Sequence, residues 1–218
     1  MARSTTPMFA ALVLCAMLAA PAHAGTQPPY RSSVERLDAE AKASMRGVSW
    51  HRGCPVPLRA LRAVHVSFWR FDRTARMGTL IVHRRWAEDM RALFRRLYRD
   101  RFPIRRMRPV DVYDGDDHRS MAADNTSGFN CRFVAGTTRW SQHAYGRAID
   151  IDPVENPYVS GDHVTPKAGW RFVDRSLHRR GMIHRLDVVW RAFHRIGWGW
   201  GGTWRTAQDY QHFSATGT

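Results

Sequence analysis

The sequence predicts an α+β domain. Amphipathic helical stripes and short alternating strand runs follow one another without βαβ regularity. The 218 residues suffice for one domain with a substantial core. No internal repeat and no second domain boundary interrupt the chain.

Residues 1–24 read as a secretory signal peptide. Arg3 supplies a positive start, Met8 to Leu18 an apolar run too short to span a bilayer, and Ala22-His23-Ala24 a small-x-small cleavage site. Residues 25–49 read as a linker followed by a helix. Ser32 is its expected cap, with Glu35 completing a capping box and Val34, Leu37, Ala41 and Met45 forming the apolar face. Residues 47–57 form a loop around Cys54. Alternation over Leu61–Phe68 and the run Gly78–His83 predict two strands. Trp86, Met90, Leu93, Phe94 and Leu97 recur at helical spacing, so residues 85–100 form a core-packed helix that stops before Pro103. Pro109–Tyr113 reads as a short strand and Asp114–Asn130 as a long polar loop. Ile183, Leu186, Val189, Trp190 and Phe193 mark another helix, ended by Gly197. The Trp/Gly-rich tail follows, and residues 50–218 form the functional domain.

Composition narrows the setting. The net charge of +15 is carried mostly by Arg. With an export signal, anionic wall polymers are the expected polyanions rather than nucleic acid, although a simply solvated basic surface fits equally well. The protein is expected in the secreted, periplasmic or cell-envelope compartment, free of the membrane after signal cleavage, as a monomer. Cys54 and Cys131 are the two cysteines of the mature chain, and an even count in an oxidising compartment favours a disulfide over a thiol nucleophile.

The chemistry centres on residues 141–152. After Gly146, which lets the backbone turn, Ile149 and Ile151 point one way and Ala148, Asp150 and Asp152 the other. His143 can then fold back beside Asp150, giving an imidazole and a carboxylate on a rigid strand. His212 would supply a third ligand, and three protein ligands leave a position open for water, as catalytic zinc requires. Asp209 can reach the same site as a base if the chain turns between residues 209 and 212, since an ideal strand would face the two apart. Ser141 is expected to orient the motif by hydrogen bonding. Asp152 faces the site or solvent, residues 156–158 are candidates for lining a groove, and Trp198, Trp200 and Trp204 pack the core or flank the cleft.

The pattern Ser-x-His-x-x-Gly-x-Ala-x-Asp at Ser141–Asp150, followed by the Trp/Gly run 197–204 and Asp209-x-x-His212-Phe213, resembles the peptidase M15 family of zinc D-Ala-D-Ala carboxypeptidases (VanY-like) and L-alanyl-D-glutamate endopeptidases. The resemblance implies the small α+β zinc-peptidase fold shared with the Hedgehog signalling domain, an antiparallel sheet with flanking helices. It implies a Zn2+ cofactor held by His143, Asp150 and His212, Asp209 as general base, Arg132 as the group that holds the developing oxyanion, and peptidoglycan stem peptides as substrate. A disulfide would then fix the loop that carries Arg132. Two other classes stay open: a non-catalytic wall-binding module with a structural zinc, and an exported polyanion-binding protein.

Overall fold

A computed structural model describes residues 1–2 and 28–218. The signal-peptide reading falls almost wholly on residues outside that set. Strand β1 (Ser32–Arg36) is followed by helix α1 (Ala39–Met45), the long strands β2 (Leu61–Trp69) and β3 (Ala75–His83), and helix α2 (Ala87–Arg99). Strand β4 (Arg106–Met107), helix α3 (Asp117–Ala122) and strand β5 (Asn125–Thr126) come next. Then follow β6 (Ala148–Asp150), β7 (Tyr158–Ser160), β8 (His163–Thr165), α4 (Val188–His194), β9 (Gly199–Trp200), β10 (Gln208–Asp209) and β11 (His212–Ser214).

The strands make several small sheets rather than one. Three are antiparallel, in the orders β1-β2-β3, β10-β7-β8 and β6-β11-β9, and β4 pairs with β5 in parallel. Helix α2 buries Met90, Leu93, Phe94 and Leu97 against Val64, Val66, Leu80 and Val82 of the first sheet. The same core takes in Val189 and Phe193 of α4 and Ile149 and Phe213 of the β6-β11-β9 sheet. One apolar interior thus backs both the long hairpin and the strands that carry Asp150 and His212. Each such buried side chain contributes roughly 1.5–3 kcal/mol. A second cluster, with Leu37, Met45, Leu58 and Phe129, surrounds the disulfide between Cys54 and Cys131.

Four local expectations are corrected. Ser32 does not cap a helix: residues 32–36 pair along β2, with Val34 opposite Val64. The edge of β2 satisfies their backbone groups, and the helix starts only where Asp38 Oδ1 accepts the Ala41 N–H at 2.7 Å. Residues 110–113 form a 3-10 turn, not a strand. The long polar loop holds α3, capped by Asp116, and β5. The late helix begins at Val188, where Asp187 Oδ1 accepts the Trp190 N–H at 2.8 Å. Leu186, at φ 70°, lies in a left-handed bend before it, which excludes Ile183 and Leu186 from the helix. Its end at Gly197, φ 77°, is as expected.

Candidate metal centre

The site begins at a tight turn. Ser141 Oγ accepts the His143 N–H at 3.3 Å and opens the 3-10 turn Gln142–Tyr145, the orienting role read from the sequence. Gly146 closes it at φ 64°. A Cβ there would lie 2.6 Å from the backbone nitrogen of His83, so only glycine fits between this turn and β3. Strand β6 then carries Asp150.

Register supplies the third member. β11 pairs antiparallel with β6, and His212 stands directly opposite Asp150. His143 Nε2 lies 3.1 Å from Asp150 Oδ2, and His212 Nδ1 lies 2.9 Å from Asp150 Oδ1. The two imidazole nitrogens are 3.2 Å apart. All three residues are buried.

The outward nitrogens explain which ring atoms face inward. His143 Nδ1–H donates to the Gly128 carbonyl at 2.6 Å, leaving the Nε2 lone pair for the centre. His212 Nε2 faces the main-chain oxygen of Thr218 at 3.4 Å, leaving Nδ1 for the centre. Ser214 Oγ–H holds that same oxygen at 2.8 Å. Two lone pairs and a carboxylate therefore converge, and three acceptors at this separation need a cation or a proton among them. Four-coordinate zinc with arms of about 2.05 Å has ligand–ligand edges of about 3.3 Å, close to the spacing here. Burial alone would raise the Asp150 pKa, but the two imidazoles outweigh it and hold the carboxyl well below its ordinary range. Burial works against a charged His212, yet the hydrogen bond and charge of Asp150 raise its pKa. This donor set can hold a metal ion.

Asp209 approaches along a different sheet. It sits on β10, opposite Tyr158 of β7, while His212 sits on β11. Residues 210–211 carry the chain from one sheet to the other, the turn that the sequence required. Asp209 Oδ1 is buried with no hydrogen-bond partner among the described residues. Burial pushes its pKa up to about 6, the nearby Asp150 charge adds to this, and His212 opposes it. A buried carboxylate with one oxygen unpartnered among the described residues, titrating near neutrality beside two imidazoles, is suited to proton transfer.

Arg132 reaches the site's edge by its backbone: its carbonyl accepts the Ser141 N–H at 3.0 Å. Its guanidinium Nη2 pairs with Asp117 of α3 at 2.7 Å, a partner that no local motif announces. Its Nε is buried and without a partner among the described residues.

Other candidates have structural places. Asp152 is fully buried and turned from solvent; its Oδ1 accepts the Arg105 N–H at 2.9 Å. It belongs with Asp124, Glu155 and Arg105 to a buried charge network drawn from three chain segments, which no local motif announces. Asn156 does not line a groove: its amide donates to the carbonyls of Ile151, Asp152 and Gly181. Trp198 packs edge-on against Trp86, and Trp200 stacks on Phe213. Trp204 instead flanks His212, ring centroids 5.6 Å apart. A second group, His51, Cys54 and Cys131, also has metal-like spacing. Its two sulfurs are bonded to each other, which removes them as thiolate ligands.

Residues 135–215 match the family model described as D-alanyl-D-alanine carboxypeptidase. This segment is similar to the peptidase M15 family. The matched segment contains His143, Asp150, Asp209 and His212, whereas Arg132 precedes it. No curated protein and no solved structure matches the chain.

Proposed function

We propose that this protein is an exported zinc metallopeptidase that hydrolyses peptidoglycan stem peptides, at a D-Ala-D-Ala terminus or an L-Ala-D-Glu bond. The observation that carries the proposal is the convergence of His143 Nε2, both Asp150 oxygens and His212 Nδ1 within 3.2 Å, beside a buried Asp209. His143, Asp150 and His212 are the proposed ligands. Bound zinc supplies Lewis acidity that polarises a carbonyl and brings the pKa of a water toward neutrality. The resemblance to M15 peptidases and the match to a carboxypeptidase family model support this choice of metal and substrate class. The Hedgehog-like fold name rests on the same resemblance.

The protein's own groups divide the remaining work. The Gly128 carbonyl and the Thr218 oxygen keep both imidazoles turned and in one tautomer. Asp209 accepts the proton of the attacking water and returns it to the leaving amine. Arg132, held at Nη2 by Asp117, is the proposed donor to the developing oxyanion. The Cys54–Cys131 bond anchors the loop immediately before Arg132.

Digestion of purified peptidoglycan, with and without a chelator, tests this reading by mass analysis of released fragments. Loss of one D-Ala marks a carboxypeptidase, and release of peptides that begin at D-Glu, with L-Ala left on the glycan, marks the L-Ala-D-Glu cut. Absence of any chelator-sensitive peptide cleavage contradicts the proposal.

A further inference from the structure

A separate cavity of about 290 Å3 lies where α1, the 58–60 turn and the β2-β3 hairpin meet. Its floor is Leu37, Leu58 and Leu61. Its walls are Arg36, Lys42, Arg59, Arg62 and Arg84, and no carboxylate lines it among the described residues. None of these five cations joins an ion pair among those residues. Of the nearest carboxylates in sequence, Asp38 caps α1, Glu35 accepts the Ser33 hydroxyl and faces His65, and Glu40 of α1 neither lines the cavity nor pairs with these cations. Burial lowers the pKa of His83, and the charges of Arg84, Arg85, Arg62 and Arg147 lower it further, so this side of the molecule carries a positive field.

Five like charges around one concavity repel one another, and an anion seated among them relieves that repulsion. Arginine forks match the paired oxygens of a phosphate, and the leucine floor suits the carbon skeleton attached to it. From this geometry we infer that the cavity is a binding site for a phosphodiester group of an anionic polymer, distinct from the metal centre. Its place gives the site a use. The His83 N–H donates to the Gly146 carbonyl at 2.8 Å, so Arg84 follows directly the residue that braces the His143 turn. A polymer held here keeps its neighbouring peptide close to the proposed hydrolytic centre. The binding claim itself needs no hydrolysis and no metal.

The test is binding of fluorescently labelled poly(glycerol phosphate), a soluble phosphodiester polymer, read by anisotropy at 150 mM salt, to the chelated full chain. Arg59 and Arg84 are exposed, so R59E/R84E removes cavity charge without touching the core. R191E/R195E makes the same charge change on exposed positions at α4 and its C-cap. We expect R59E/R84E to weaken binding at least tenfold and R191E/R195E to change it less than threefold, with unaltered melting of both. Equal weakening by the two variants would mean attraction by net charge alone and would overturn the site, as would an absence of wild-type binding. Should R59E/R84E misfold, Arg59→Gln and Arg84→Gln singly must each weaken binding. A second arm uses anionic phospholipid vesicles. Vesicle binding that R59E/R84E abolishes, without any binding of soluble poly(glycerol phosphate), would overturn the polymer and assign a headgroup instead.

Discussion

Replacing Asp209 by Asn should make the protein more stable and nearly inactive. Burial raises this carboxyl from its ordinary 3.8 to about 6. A folded-state pKa above the unfolded one means that the ionised form is disfavoured in the fold. No penalty exists below about pH 4; it grows as pH rises and is complete above about 6. At about 1.36 kcal/mol per pH unit the difference corresponds to roughly 3 kcal/mol at neutral pH. Asn keeps the shape and carries no charge, so metal-free D209N should unfold later in urea than the wild type at pH 7.5, by up to that amount, and equally at pH 4. Zinc retention should persist, because no hydrogen bond links Asp209 to His143, Asp150 or His212 among the described residues. Turnover should fall by about 10^2 to 10^4, the usual contribution of a positioned base. Urea melts of the chelated proteins at both pH values, with peptide release by the zinc-loaded forms, test both halves. Turnover within tenfold of wild type would refute Asp209 as the base, and a less stable variant at pH 7.5 would refute the electrostatic argument.

Gly146→Ala should lower stability by at least about 1–2 kcal/mol and weaken metal retention with it, since the residue sits at φ 64° and a Cβ would meet His83; a melt near wild type with full metal content would contradict the packing described. Cys54→Ser/Cys131→Ser opens a link of sequence separation 77, for which chain entropy gives about 4–5 kcal/mol, so its urea midpoint should drop to that of the reduced wild type. Glu155 is raised from 4.5 to about 8 by burial and by Asp124. Its penalty therefore grows between these pH values, and Glu155→Gln should flatten the fall of the melting temperature from pH 5 to 8; an unchanged slope argues against the buried network as its source.

What the sequence revealed depended on how local the determinants were. The His143 turn and strand β6 were legible because capping, glycine and alternation lie within ten residues. The stripe of α2 was legible because one face meets one core. Ser32 misled because Asp38 offers a second cap shortly after it, and the choice between them was made by the edge of β2, remote in sequence. Leu186 fits a helical period but takes a left-handed backbone that periodicity does not encode. Pairing of His212 with Asp150 was reached through metal chemistry, not through spacing. The Arg105, Asp124, Asp152 and Glu155 network and the Asp117–Arg132 pair had no signal at all, since each joins separated segments.

X-ray absorption at the zinc edge, on protein reconstituted with one equivalent of metal, tests the proposed centre most directly. Coordination only by nitrogen and oxygen near 2.0–2.1 Å, with the scattering pattern of two imidazoles, is the result predicted for His143, Asp150 and His212. Sulfur near 2.3 Å would place the metal at the Cys54 and Cys131 group instead, and failure to retain zinc would contradict the account altogether.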